Sequence, residues 1–420
     1  MSIKGIQFIF VFFLVLFAFN FFGANFINGH FIHYSNFIFC LAAIGMALPF
    51  AFIKGKVFEL PVQLMCLGIV ISVLMAYFSW QQPFMYTIQG TVPALLWVFF
   101  FWLLRVKFPV KLLETIVIIY AFIYIVLYLF QFSNPNNLLF GILFQDTSAY
   151  FGRDIFRIVF PGGGVFFLAV FIALNKLTSQ KEGRILWIFF VIAGLVIPVM
   201  QVTRTYIVSV LILYLYHFFS GVPYLKNLNA RKKVGLIGLI CACLFLISQL
   251  DIPAFRGLYK AQEETSAQGL ENTRIKEAIY FLKDFSPDIF SNLLGNGVPA
   301  APDQSYYGQY IQNLYSKEKF MDDVGIIGMF AMFGILIVIG YVMIWVKSFT
   351  LRLPAGYRYA KYYLWFILGT CLTWDTVYSN YYLITTVFAL YIFQRAYTDE
   401  KTKDKLPSSK YKYNFRYISK

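Results

Sequence analysis

Charge is scarce in this sequence, so the places where it gathers are the natural candidates for chemistry. Asp322 and Asp323 stand side by side in MDDVGIIGMFAMFGIL, directly against an apolar run punctuated by glycine. Acids at such a position cap helix N-termini, where the peptide dipole favours negative charge. Asp322 fits that reading better, which leaves Asp323 open to another role. Arg157, Arg204 and Arg274 form the second set, each at the start of an apolar or amphipathic segment. Burying a guanidinium near hydrocarbon costs roughly 2.5–3.5 kcal/mol on insertion scales, so arginines there need partners. The planar, five-donor guanidinium suits multidentate recognition of phosphate, and a bilayer surface presents lipid phosphates.

The elements that must position these residues follow from composition. The 420 residues are 60% hydrophobic and only 13% charged, far from the balance of an ordinary soluble domain. Apolar residues arrive in blocks long enough to cross a bilayer as helices. The pattern predicts an all-α, polytopic membrane bundle of about twelve spans, over 6–23, 36–53, 60–79, 87–104, 112–132, 158–175, 185–200, 204–220, 234–250, 324–346, 360–377 and 380–396. The seventh and eighth touch across MQVTRT, where Pro198 and Arg204 mark the division. One helix through both would be about 54 Å long, too long for a hydrocarbon core near 30 Å.

Charge orients this arrangement. With the N-terminus inside, most of the 35 basic residues fall on the cytoplasmic side, from Lys4, Lys54 and Lys56 to the tail beginning at Arg395. Every short loop then obeys the positive-inside rule, and both termini are cytoplasmic. The net charge of +15 is accounted for by topology and needs no nucleic-acid partner. Residues 1–23 read as the first span rather than a signal peptide, because the apolar run is long and no small-x-small cleavage site follows. The five cysteines fall within or at the ends of spans, and the three histidines are scattered, so neither a disulfide framework nor a metal cluster is indicated. The chain reads as a transmembrane domain over 1–396 and a basic cytoplasmic tail over 397–420. A smaller outer loop covers 133–157 and a large one, periplasmic or extracellular, covers 251–323.

The large loop carries helical pattern and turn punctuation, as a functional loop does. In ENTRIKEAIYFLKDF, residues Ile275, Ala278, Ile279, Leu282 and Phe285 recur at helical spacing, with Asn272 or Thr273 as cap and Ser286-Pro287 as stop. Such a helix is expected to lie with its apolar side down on the bundle. Arg274 then sits in a first turn, where free N–H groups already favour an anion. Beyond it, NLLGNGVPAAPD is turn-rich, with Gly295 and Gly297 at its centre. Gly325 and Gly328, with Ala331, form a small-residue stripe that lets the return helix pack closely.

QVTRTYIVSVLIL, RIKEAIYFLKDF followed by NLLGNGV, DDVGIIGMFAMFGIL and, more loosely, FRIVFPGGG resemble, in their order, motifs of the O-antigen polymerase and O-antigen ligase family. These are bacterial cytoplasmic-membrane enzymes that build surface polysaccharide. The resemblance implies a helical bundle with an outer cavity, like that of the lipid-linked C-type glycosyltransferases. It implies an inverting glycosyl transfer that needs no metal, cofactor or nucleotide sugar. The implied partners are undecaprenyl diphosphate-linked glycans, membrane lipids and a chain-length regulator. Carried over by position, Arg157, Arg204 and Arg274 would hold the diphosphate. The ligases carry a histidine in the large loop near the return to the membrane. Residues 251–323 contain none, and Asp323 stands in that neighbourhood. That departure favours a polymerase, with Asp323 as the first choice of base for the acceptor hydroxyl and Glu271 and Asp303 behind it.

Two rivals set the terms of comparison. A ligase would use the same pocket to transfer finished polymer to lipid A core. A flippase for lipid-linked oligosaccharide would spread charge through its spans and show internal repeats, whereas polar residues here collect in one loop. Pro161-Gly162-Gly163-Gly164 reads as tight packing before a phosphate cradle. Trp374 and Asp375 stand among tyrosines that suit an interfacial belt.

Overall fold

The computed structural model describes residues 3–55, 57–143, 158–180, 182–221, 229, 231, 253–268, 272–300 and 304–405. The expected ninth span, 234–250, and the end of the tail lie outside them. The described chain is helical apart from a two-residue antiparallel pairing, Ile142–Leu143 with Val159–Ile158. In order the helices are α1 (Ile3–Ala18), α2 (Gly29–Ala47), α3 (Glu59–Trp80), α4 (Phe84–Thr91), α5 (Phe99–Val106), α6 (Val110–Ser133) and α7 (Gly163–Ser179). They continue as α8 (Arg184–Met200), α9 (Arg204–Gly221), α10 (Pro253–Gln268), α11 (Thr273–Lys283), α12 (Ile289–Leu294) and α13 (Tyr306–Ser316). Last come α14 (Ile326–Phe333), α15 (Ile335–Thr350), α16 (Arg358–Thr370) and α17 (Asn380–Lys405).

Among the described residues, three helices are long and apolar enough to cross a membrane: Gly29–Phe50, Glu59–Trp80 and Val110–Ser133. A fourth qualifies if Phe84–Thr91 and Ala94–Val106 count as one span bent by 51°. The remaining apolar helices are shorter, so length and composition alone do not reach the expected twelve. Several boundaries move for identifiable reasons. The second helix begins at Gly29 because the Asn28 side chain accepts the His30 N–H. The expected 87–104 helix is broken at Pro93, which lacks the N–H a continuous helix requires. α8 runs through Pro198, and the division from α9 falls at Val202, where φ is +53°.

The core gathers around α7. Every residue from Gly163 to Asn175 is buried, as expected of a helix apolar on all sides. It packs against α6, α8, α16 and α17. The triple glycine at its start lets α17 come close: a Cβ on Gly164 would lie 2.7 Å from the Tyr381 carbonyl oxygen. Packing therefore accounts for these glycines.

The most consequential departure concerns the expected 324–346 span, which is broken at Gly334 into α14 and α15. The break frees the carbonyls of Ala331 and Met332 from their helical partners. The Asn296 N–H donates to the first at 3.0 Å and the Gly297 N–H to the second at 2.8 Å. Asn296, fully buried, adds a side-chain bond to Ala331 O at 2.8 Å and accepts the Trp80 indole N–H at 2.7 Å. Such a break is tolerated inside a bundle because another segment satisfies the backbone. Gly295 and Gly297 thus belong to a turn that plugs a broken helix. A Cβ on Gly68 would meet Phe333 O at 3.1 Å, so the break lies about midway along α3.

Candidate functional site

Four acidic side chains gather around the short Met321–Val324 turn and the Asp375–Val377 turn between α16 and α17. The two turns are drawn together through glycine. Gly325 has φ +48°, and a Cβ there would stand 2.1 Å from the Cys371 carbonyl oxygen, a distance no side chain could occupy. That carbonyl accepts the Ile326 N–H at 2.6 Å. A Cβ on Gly328 would lie 2.4 Å from Met321 O, so the second glycine seats the acidic turn on α14. The expected close packing is therefore present, directed at the Cys371–Trp374 connection and the turn itself.

Asp322 does not cap the return helix: Gly325 occupies the N-cap and no side chain bonds there. Asp322 instead accepts the Tyr378 hydroxyl at 2.6 Å and remains exposed. Surrounding protein raises its carboxyl above the usual range, Tyr378 opposes this, and neighbouring Asp323 adds to it. Asp375 is raised as well, first by burial and then by the charge of Asp322, against the stabilising Ser379 hydroxyl. The charge of Asp322 thus favours the protonated form of Asp375, as a like charge nearby does. The Tyr378 phenol is pushed well above its ordinary value by burial and then by both aspartates, so it stays a donor to Asp322.

Glu277 is the fourth acid. It sits on α11, only 2% exposed, with Oε1 accepting the Phe320 N–H at 2.9 Å and Oε2 without a hydrogen-bond partner. Burial lifts its carboxyl to about 7; the Phe320 amide, Arg274 and Lys319 oppose the shift and Asp323 adds to it. Asp323 and Arg274 therefore meet in the field of one buried acid. Lys319 caps the neighbouring Tyr280 ring at 3.9 Å, and the Tyr280 and Tyr310 hydroxyls are hydrogen-bonded.

α11 is capped by Asn272, whose side chain accepts the Arg274 N–H at 3.0 Å, as its sequence predicts. Its orientation departs from expectation for the aliphatic residues. Phe285 faces the bundle as expected, joined by Glu277 and Phe281, while Ile275, Ile279 and Leu282 are exposed. The aromatic pair, packed near Trp80, outweighs the aliphatic stripe. Arg204 opens α9 and donates to Gln262 Oε1 of α10 at 2.6 Å. Two residues on, the Tyr206 ring packs 5.9 Å from Trp374, adjacent to Asp375, so α9 starts beside the acidic turns. Arg157, Glu271 and Asp303 lie outside the described residues. Among the described residues, no three His, Cys, Asp or Glu side chains are grouped to hold a metal ion.

Glu277 makes the folded protein's stability depend on pH. An unfolded glutamate titrates near 4.5 and this one at about 7. Between those values the folded state keeps a proton the unfolded chain has lost. The contribution is complete below pH 4.5 and is lost as pH rises through 7, by at most about 3 kcal/mol. Glu277→Gln keeps an acceptor for the Phe320 amide and cannot ionise. Its melting temperature in detergent is expected to fall less from pH 5 to 8 than that of the parent, the remaining slope coming from the raised aspartates. Parallel profiles would show that another group is responsible.

No protein-family model matches the chain, and no curated protein matches it.

Proposed function

We propose that this protein polymerises lipid-linked oligosaccharide repeat units into a surface polysaccharide at the outer face of a bacterial cytoplasmic membrane. The observation that carries the reading is an exposed carboxylate, Asp322, which accepts the Tyr378 hydroxyl at 2.6 Å and whose titration is raised above the usual range, with Asp375 in the neighbouring turn. Arg274 lies on the adjoining helix. A general base works best with a pKa near the operating pH and open access to the proton it removes. Asp322 is exposed and its titration is shifted upward, toward what a base needs, so the role first given to Asp323 passes to its neighbour. The positive-inside distribution assigns this end of the bundle to the outside, where undecaprenyl diphosphate-linked glycans are presented.

In this mechanism Asp322 takes the proton of an acceptor sugar hydroxyl as its oxygen attacks the anomeric carbon of the donor. The bond from that carbon to the diphosphate oxygen breaks with inversion, and undecaprenyl diphosphate leaves carrying the electron pair. Arg274 and Arg204, with Arg157, stabilise the charge that develops on the leaving group. Tyr378 orients Asp322 through its hydroxyl, and Asp375 tunes its proton affinity. The role of Glu277 is to hold the Phe320 amide and, with it, the acidic turn.

Deleting the gene and measuring the saccharides left on undecaprenyl diphosphate tests this reading. Single repeat units at the outer face are the expected result. Long polymers stranded on the lipid would make the protein a ligase, and units retained at the cytoplasmic face would make it a flippase.

A further inference from the structure

We propose that α12 is embedded in lipid, its Ile289, Phe290 and Leu293 side chains lying among the acyl chains beside the Trp80 end of α3. These three are 69%, 66% and 49% exposed, although they belong to a connecting segment outside every long apolar helix. Large apolar side chains grouped on a surface need a partner, and their depth identifies it. The N-cap of α12 is Asp288, whose carboxyl meets the Ser79 side chain near the end of α3. The helix then descends: a Cβ on Gly334 would touch the Leu294 backbone at 2.4 Å, and a Cβ on Gly297 would lie 2.8 Å from Ser72 O.

Ser72 is eight residues, about 12 Å, from Trp80 along a helix long enough to span a bilayer. α12 therefore runs alongside the last two turns of α3, below the level of the headgroups. Val70, Leu74 and Phe78 of α3, at i, i+4 and i+8, are 50%, 45% and 71% exposed and form the lipid-facing stripe of that helix. The exposed residues of α12 extend that stripe sideways. No charged side chain lies within Ile289–Leu294, its first N–H groups are capped by the Asp288 carboxyl, and the residues that follow it, Asn296 and Gly297, donate to the carbonyls of α14. The connection between α11 and α14 is thus a re-entrant element: it dips to the middle of α3, closes the break at Gly334 and returns.

Nitroxide labels placed singly at 289, 290 and 293 test this in the full-length protein reconstituted in phosphatidylcholine–phosphatidylglycerol vesicles, with native cysteines replaced. Collision with oxygen reports lipid, and collision with a water-soluble nickel chelate reports water. All three sites are expected to favour oxygen strongly, whereas a label at exposed Lys317 favours nickel. Nickel access at 290 and 293 equal to that at 317 would overturn the proposal by placing the face in water. Low access to both reagents with dipolar broadening would overturn it in favour of a second copy of the chain. The labelled sites are already exposed, so loss of fold is not an expected outcome; retained melting behaviour confirms each variant.

Discussion

Asp322→Asn is expected to slow polymer formation by about 10²- to 10⁴-fold, the usual worth of a general base, in a protein that still folds and inserts. Asparagine keeps an oxygen to accept the Tyr378 hydroxyl, now at 2.6 Å from the carboxylate, so the contact between the two turns survives. What disappears is the ability to accept a proton. The assay is single-turnover extension of a lipid-linked repeat unit by purified protein. The same assay fixes the sign of the pH dependence. Asp322 must be ionised to act, so activity rises with pH through its raised titration. Asp323 contributes to that rise by charge repulsion; Asp323→Asn is expected to move the acid limb of the profile to lower pH while preserving the maximal rate. Asp375→Asn should do likewise, because Asp322 and Asp375 repel one another. Normal extension by Asp322→Asn would remove it as base. Loss of the maximal rate in Asp323→Asn alone would return the role to that residue.

The sequence made some of this arrangement legible and hid the rest, for physical reasons. Helix positions follow from apolar blocks, and the cap at Asn272 follows from the chemistry of a short acceptor side chain. Small residues at 325 and 328 announce close packing, though not the partner, because a glycine records only that something is near. The break at Gly334 is invisible in an unbroken apolar run: its carbonyls are satisfied by Asn296 and Gly297, 35 residues away. Tertiary contact also decides which way α11 faces. Its aliphatic spacing points to one face, but Phe285 packs with Trp80 and Tyr307, Phe281 packs on Phe285, and the aliphatic residues are left facing outward. Glu277 was hidden by the same inversion, since an acid in a helical pattern reads as solvated. Its position three residues after Arg274, on the same side of one helical turn, was the available signal. Asp375 and Tyr378 stood among aromatics that suit an interface, and only the fold brings them to Asp322.

Arg274→Ala is expected to lower the rate of the chemical step by about 10²- to 10³-fold, the cost of removing one preorganised donor from a developing negative charge. Arg274 lies in the first turn of α11, where the helix N-terminus adds to its field. It also favours the ionised form of Glu277, so the variant carries a second consequence that separates the two roles. Removing the guanidinium raises the Glu277 titration further and shifts the pH dependence of melting upward, whether or not Arg274 meets substrate. A loss of rate at low pH, where Glu277 is already protonated, can come only from the reaction. Arg274→Lys restores the charge but not the planar fork, and is expected to recover part of the rate. The division between kcat and KM then places the interaction. A group that grips the leaving diphosphate as its bond breaks lowers kcat and kcat/KM together, whereas one that merely holds the bound lipid raises KM alone. Arg204 has one N–H committed to Gln262, which sets its direction, so Gln262→Ala is a milder probe of the same site than Arg204→Ala. Full activity in alanine variants of Arg157, Arg204 and Arg274 alike would leave the diphosphate without its cations and end this assignment.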